Sequence, residues 1–261
     1  MRAMVLNQAS DLLVASSVAD PVAGSGEVVV RVLACGVCRT DLHIVDGELT
    51  EPKLPLILGH QIVGRAVGTG ERFQSGDRIG VPWLGWTCGS CRYCASGREN
   101  LCLSPGFTGW DADGGYGELT TVHQDFAYPL PDQADAAELA PQLCSGIIGW
   151  RALDRCCLPP GGGLGIYGFG GSAHITAQVA AAMGAEVHVR TRSPAAQDHA
   201  RSLGATSVGA SDDPIEAPLD AAILFAPAGN LVPVALSSLD RGGSLVIAGI
   251  HLSDIPSMPY Q

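Results

Sequence analysis

Four cysteines fall in one short loop: Cys88, Cys91, Cys94 and Cys102 are separated by two, two and seven residues. At that spacing a single loop can wrap four sulfurs tetrahedrally round Zn²⁺. Four thiolates fill the coordination shell, so no position remains for a substrate and the ion's work is structural. The flanking residues are rich in Gly, Ser and Arg and offer little apolar core, which makes an ion the natural means of fixing this lobe. The chain holds 9 Cys, an odd number, and the clustering near His points to metal before disulfides and to a reducing, cytoplasmic compartment.

A second pattern suits phosphate. Gly168-Phe169-Gly170-Gly171-Ser172-Ala173 fits G-x-G-x-x-A, directly after the apolar run 164–167 and at the start of the helical stretch 173–183. Gly168, Gly170 and Gly171 let the backbone turn tightly and approach a pyrophosphate, which rests on the helix N-terminus, while Ala173 allows close packing. Cofactor choice is read at the end of the next strand, where Asp or Glu would bind both ribose hydroxyls of NAD. Here the residues are Arg190-Thr191-Arg192-Ser193. A hydroxyl followed by a cation, Thr191 then Arg192, suits a 2′-phosphate and leans the reading toward NADP(H).

The elements that position these residues fall into two halves. Between 28 and 117 the sequence reads as short β runs cut by Gly and Pro, among them 28–34, 62–67 and 78–82 after the Gly76-Asp77 turn. Past Pro159 strands alternate with helices: strands at 164–167, 186–191, 206–209, 220–226 and 244–249. The first helix carries Ile175, Val179 and Met183 at helical spacing, and the second opens with Ser193 as cap and Pro194 at its first position. Such alternation makes a parallel, doubly wound sheet. The change of pattern predicts domains 1–150 and 151–261, joined by a helical segment over 140–157.

Composition excludes several classes of partner. With 15 Lys+Arg against 26 Asp+Glu the net charge is −11, which repels nucleic-acid phosphates and anionic lipid. The long uncharged run 158–185 is broken by glycines and by Pro159 and Pro160, so it cannot serve as a lipid-exposed helix. The N-terminus runs straight into a strand-like stretch without a signal-peptide pattern.

Five pieces occur in order along the chain: Gly36-Val37-Cys38-Arg39-Thr40-Asp41-Leu42-His43, then Gly59-His60-Gln61-Ile62-Val63-Gly64, the four-Cys loop, Leu143-Cys144-Ser145-Gly146, and the Gly-rich turn at 168. Together they resemble the zinc-dependent alcohol dehydrogenases of the medium-chain dehydrogenase/reductase superfamily over essentially the whole chain. The resemblance implies a GroES-like, β-rich catalytic domain followed by a Rossmann-type sheet. It implies hydride transfer between a small primary or secondary alcohol, or its aldehyde or ketone, and NAD(P)(H). It implies two zinc ions per chain, the catalytic one held by Cys38, His60 and Cys144 with a fourth position open, and the structural one by Cys88, Cys91, Cys94 and Cys102.

The same resemblance gives Thr40 the substrate oxygen, His43 the end of the proton relay, Arg39 a pyrophosphate contact, and Asp41 the task of orienting His60. Trp83 and Trp110 stand where aromatic rings line the substrate pocket, a position that core aromatics fill equally well. Gln61 is a departure, because the family commonly has Glu there; the shape is kept and the charge is lost. Cys35 with Cys38 also forms C-x-x-C, but a redox dithiol is disfavoured in a β-rich half where Cys38 serves a metal. Five strands are legible after residue 151, against six in the dinucleotide fold, and family members continue past the position of Gln261. The chain therefore reads as C-terminally truncated, and a catalytically silent zinc-binding relative is the alternative function. Homo-oligomers are common in the family.

Overall fold

The computed structural model describes residues 1–49 and 52–259. The chain divides into two compact units, Met1–Cys144 and Ser145–Gln261.

In the first unit, alternation builds a nine-residue strand. Within Glu27–Cys35, Val28 and Val30 turn inward at 3% and 0% exposure, while Val29 and Arg31 stand on the other face. This strand sits fourth in a five-stranded antiparallel sheet ordered Tyr128–Pro129, Arg78–Val81, Ile62–Val67, Glu27–Cys35, Leu119–His123. Val28, Val30, Ile62, Phe73, Ile79, Val81 and Val122 close over one core. Each such side chain contributes about 1.5–3 kcal/mol on burial.

One irregularity in this sheet bears on function. The register between Glu27–Cys35 and Ile62–Val67 shifts between Val32 and Ala34, after which Cys35 faces Ile62 and the Gly36 N–H donates to Gln61 O at 2.9 Å. A bulge of this kind redirects the residues beyond it. The chain segments containing Cys38 and His60 therefore leave the sheet side by side.

The second unit is a five-stranded parallel sheet ordered Ser207–Gly209, Glu186–Arg190, Gly163–Tyr167, Leu219–Leu224, Leu239–Ile247. The first strand of the unit is central and its successors go first to one side and then to the other, the doubly wound arrangement expected from the sequence. Leu164, Ile166, Val189 and Ile223 are fully buried, as strands covered on both faces require. The segment 140–157 is helical, as a 3₁₀ turn Ala140–Leu143 followed by the helix Ser145–Cys156. The last strand begins earlier than its apolar run suggests, because pairing starts at Leu239 opposite Leu219 and shifts register before Ser244 joins Ala221.

In the helix Gly171–Ala182 the buried residues are Ala173, Thr176, Ala177 and Ala180; of the spaced Ile175, Val179 and Met183, Val179 packs part-buried against the core and Met183 is 60% exposed. Small residues let the helix lie close on the sheet, and that close approach outweighs burial of the larger ones. No helix of the described residues is long and apolar enough to cross a membrane.

Candidate active site

Cys38 caps the helix Arg39–Val45, and its N–H donates to Asp41 Oδ2 at 2.8 Å. A carboxylate at the third helical position reaching back to the cap is the returning half of a capping box, and it turns Asp41 inward. Asp41 is 2% exposed and fully engaged. Its Oδ1 lies 3.2 Å from His60 Nδ1 and accepts the Gly59 N–H at 3.2 Å, while Oδ2 also accepts the Tyr116 hydroxyl at 3.1 Å. With Nδ1 turned to Asp41, His60 keeps Nε2 for another partner.

Cys144 comes from far along the chain. It follows the 3₁₀ turn Ala140–Leu143, which is anchored by the packing of Ala140 and Leu143 on Val63. Cys38 Sγ and Cys144 Sγ stand 4.0 Å apart, and both sulfurs lie within 4.8 Å of a His60 ring nitrogen.

The electrostatics of these donors call for a cation. The hydrogen bond from Cys144, reinforced by His60 against the opposing effect of burial, pulls the Cys38 thiol down to about 4. The same bond, with burial and the Cys38 charge, pushes Cys144 far above the usual thiol range. Burial alone would lower His60, but Asp41 and Cys38 hold it up to about 9. One thiolate is stable here and a second, 4.0 Å away, is not; a divalent ion between them removes the conflict.

The neighbouring residues are placed as follows. Thr40 Oγ1 is 3.6 Å from Cys38 Sγ, and His43, 4% exposed, pairs through Nδ1 with the Glu48 carboxylate. Arg39 is exposed on the same helix. Gln61 is 1% exposed; its carbonyl takes the Gly36 N–H, and its Nε2 is buried without a partner. Burial pushes the Cys35 thiol up to about 12, which leaves it a poor redox group.

The sulfurs of Cys88, Cys91, Cys94 and Cys102 also lie within 4.8 Å of one another. Cys102 Sγ accepts the Cys88 and Ser104 N–H groups at 3.4 and 3.3 Å. The loop is closed by pairing of Leu84–Trp86 with Gly106–Phe107, and Trp83 stacks on Phe107 at 4.6 Å between ring centroids. Trp110 packs on the cluster of Leu6, Ile44, Leu56 and Leu58.

In the second unit, Gly168 turns with φ +86, and a Cβ there would come within 2.8 Å of Ala226 N. Gly170 caps the helix Gly171–Ala182, and nothing lies within 4 Å of where its Cβ would stand. Open space therefore lies beside Gly170 at the start of that helix. Ala173 is fully buried beneath it.

At the end of the strand Glu186–Arg190, Thr191 is buried, its N–H donating to Gly209 O at 3.0 Å, and Arg192 is exposed. Arg190 is not a surface charge. Its guanidinium is 5% exposed and donates to the carbonyls of Val189, Asp213 and Pro214 and to Ser207 Oγ.

Comparison with known proteins decides the family. Residues 24–132 match the alcohol dehydrogenase GroES-like domain. The chain is 56% identical over 243 residues to a Mycobacterium tuberculosis protein named "Probable alcohol dehydrogenase AdhA", covering 90% of this chain and 70% of that one. The chain belongs to the zinc-dependent alcohol dehydrogenases. It is an oxidoreductase that interconverts an alcohol and its carbonyl compound with a nicotinamide cofactor. Among solved structures, the CAD of Helicobacter pylori in complex with NADP(H) is similar with TM-score 0.89 at 26% identity, covering 96% of this chain and 76% of that one. The acetophenone reductase of Geotrichum candidum in complex with NAD is similar with TM-score 0.85 at 27% identity, covering 95% and 75%.

Two residues of this dehydrogenase's site escape a reading of the sequence. Tyr116 reaches Asp41 only through the fold, with no local pattern to mark it. Glu48 reaches His43 across an Asp46-Gly47 turn, which is visible in the sequence as a turn but not as a pairing.

Proposed function

We propose that Cys38, His60 and Cys144 hold the catalytic zinc and that Cys88, Cys91, Cys94 and Cys102 hold a second, structural zinc, two ions per chain. The observation that carries this reading is the convergence of Cys38, His60 and Cys144 within 4.8 Å, with His60 Nδ1 already committed to Asp41. Three protein donors fit a catalytic ion with an open position, and four thiolates fit a closed one. Bound zinc supplies a Lewis acid that draws electron density from the substrate oxygen.

The chain's own side chains do the rest. Asp41 fixes His60 in position and tautomer. Thr40, on the first turn after Cys38, orients the substrate oxygen through its hydroxyl. His43 accepts the proton that alcohol oxidation releases. Gly168, Gly170, Gly171 and Ala173 seat the cofactor pyrophosphate, and Arg39 supplies it with a positive charge. Thr191 and Arg192 lean the choice toward NADP(H), because no acidic residue occupies the end of that strand to repel a 2′-phosphate. In this reading residues 1–150 carry the chemistry and 151–261 the cofactor. Small alcohols and aldehydes are the substrates, and nine unpaired thiols suit the cytoplasm.

Elemental analysis of the purified protein, with nicotinamide absorbance followed over a panel of small alcohols and aldehydes, tests the assignment. Two zinc per chain, one of them lost in Cys38→Ser together with turnover, is the expected result. Full turnover in that variant would remove the proposed centre.

A further inference from the structure

The helix that carries Thr40 and His43 ends in a tight reversal. Asp46 N–H donates to Leu42 O at 2.8 Å, Gly47 N–H to Ile44 O at 3.1 Å, and Glu48 N–H to His43 O at 3.0 Å. Gly47 has φ +73, the left-handed conformation that stops a helix and that glycine adopts without a Cβ penalty. The reversal folds Glu48 back over the helix and places its carboxylate on His43 Nδ1. His43 is 4% exposed, whereas the Glu48 side chain is 41% exposed. A buried imidazole is thus tied to a carboxylate that reaches water.

A carboxylate accepts and does not donate, so the ring nitrogen it meets carries the hydrogen. With Nδ1–H fixed in this way, Nε2 is the ring nitrogen that carries no hydrogen. We propose that Glu48 is a positioning residue of the dehydrogenase: it holds His43 in the Nδ1–H tautomer and is the counter-charge when Nε2 takes up a proton. This rests on the reading of His43 as proton acceptor. Alcohol oxidation releases a hydride, with its electron pair, and a proton. The hydride goes to the oxidised nicotinamide, as the reaction class requires. The proton forms an N–H bond at Nε2, the ring becomes imidazolium, and Glu48 remains a carboxylate beside it. The proton passes to bulk water once the carbonyl product has left. The same division of labour orients the imidazole of a Ser-His-Asp triad.

The test uses the zinc-loaded enzyme and compares Glu48→Ala, Glu48→Asp and His43→Ala. Three quantities are read: the single-turnover rate of alcohol oxidation, the zinc content, and the His43 tautomer from ¹⁵N chemical shifts of histidine-labelled protein. Wild type is expected to show Nδ1–H at His43. In Glu48→Ala the tautomer moves toward Nε2–H and oxidation slows about tenfold or more, with zinc content unchanged, and Glu48→Asp recovers much of both. Loss of rate with the tautomer unmoved would mark Glu48 as mere packing and overturn the proposal. So would an unchanged rate in Glu48→Ala while His43→Ala is slow, an outcome that leaves the reading of His43 intact. An unchanged rate in His43→Ala removes that reading and the proposal with it.

Discussion

Asp41 Oδ1 lies 3.2 Å from His60 Nδ1, and the other oxygen of the same carboxylate accepts the backbone N–H of Cys38 at 2.8 Å. One buried side chain therefore fixes two candidate metal ligands at once, one by its ring and one by its main chain. Asp41→Asn is expected to lower zinc affinity about 10–100-fold. It also turns an amide N–H₂ toward groups that donate, costing about 1–3 kcal/mol of stability. Zinc content after dialysis against a weak chelator, and the urea midpoint, check both; retention of zinc at wild-type level would count against the role.

Tyr116 supports the same carboxylate through one hydrogen bond of 3.1 Å. Tyr116→Phe keeps the ring and loses that bond, so the expected stability loss is about 0.5–1.5 kcal/mol, with zinc stoichiometry unchanged. Denaturant unfolding measures it. A larger loss would mean that the hydroxyl does more than hold Asp41.

Gln61 lies next to the candidate ligand His60 and carries a buried, unpartnered amide nitrogen. An amide is a poor zinc ligand, whereas a carboxylate can approach the ion during exchange. Gln61→Glu is therefore expected to speed isotopic zinc exchange at the catalytic site. Equal exchange rates in the two proteins would show that this position does not gate the metal.

The four-Cys loop has little apolar support, with only Cys102 of its four cysteines buried. Cys94→Ser is expected to lower the zinc content by one ion per chain and to open residues 88–104 to limited proteolysis. Chelation of the wild type should expose the same segment, and an uncut loop after zinc loss would argue that other packing holds it.

Arg192 and Arg190 lie two residues apart and should behave differently. Arg192→Ala is expected to reduce the preference for NADP(H) over NAD(H) about tenfold, through loss of a phosphate contact. Arg190→Met removes a guanidinium bound to the carbonyls of Asp213 and Pro214, so it should lower stability without changing that ratio. Ratios of kcat/KM for the two cofactors and urea midpoints separate these effects.

His188 gives the second unit a defined pH response. Burial, aided by Arg190, holds its imidazole below its ordinary 6.5. The unfolded chain then binds a proton that the native state resists, so stability rises with pH through this window and is lost as pH falls below about 6.5. His188→Gln should flatten that part of the stability curve. The check is the urea midpoint at pH 5 and pH 7.5 in both proteins.

Much of this protein is determined by its sequence alone, because much of its chemistry is local. The four-Cys spacing and the Gly168–Ala173 turn each lie within one short segment, so residue type and separation suffice to define them. Strand alternation and the Ser193-Pro194 helix start are likewise local, and the structure has them within a residue or two except at the last strand, which begins at Leu239 and not at 244. The tertiary structure decides what depends on long-range approach. Cys144 joins Cys38 across 106 positions because Ala140 and Leu143 pack on Val63. Tyr116 reaches Asp41 across 75 positions, and the Arg190 guanidinium is engaged by carbonyls from a distant loop. The core face of the helix Gly171–Ala182 follows the same rule. Its most buried residues are the small Ala173, Thr176, Ala177 and Ala180, a matter of packing distance between helix and sheet that no linear pattern encodes.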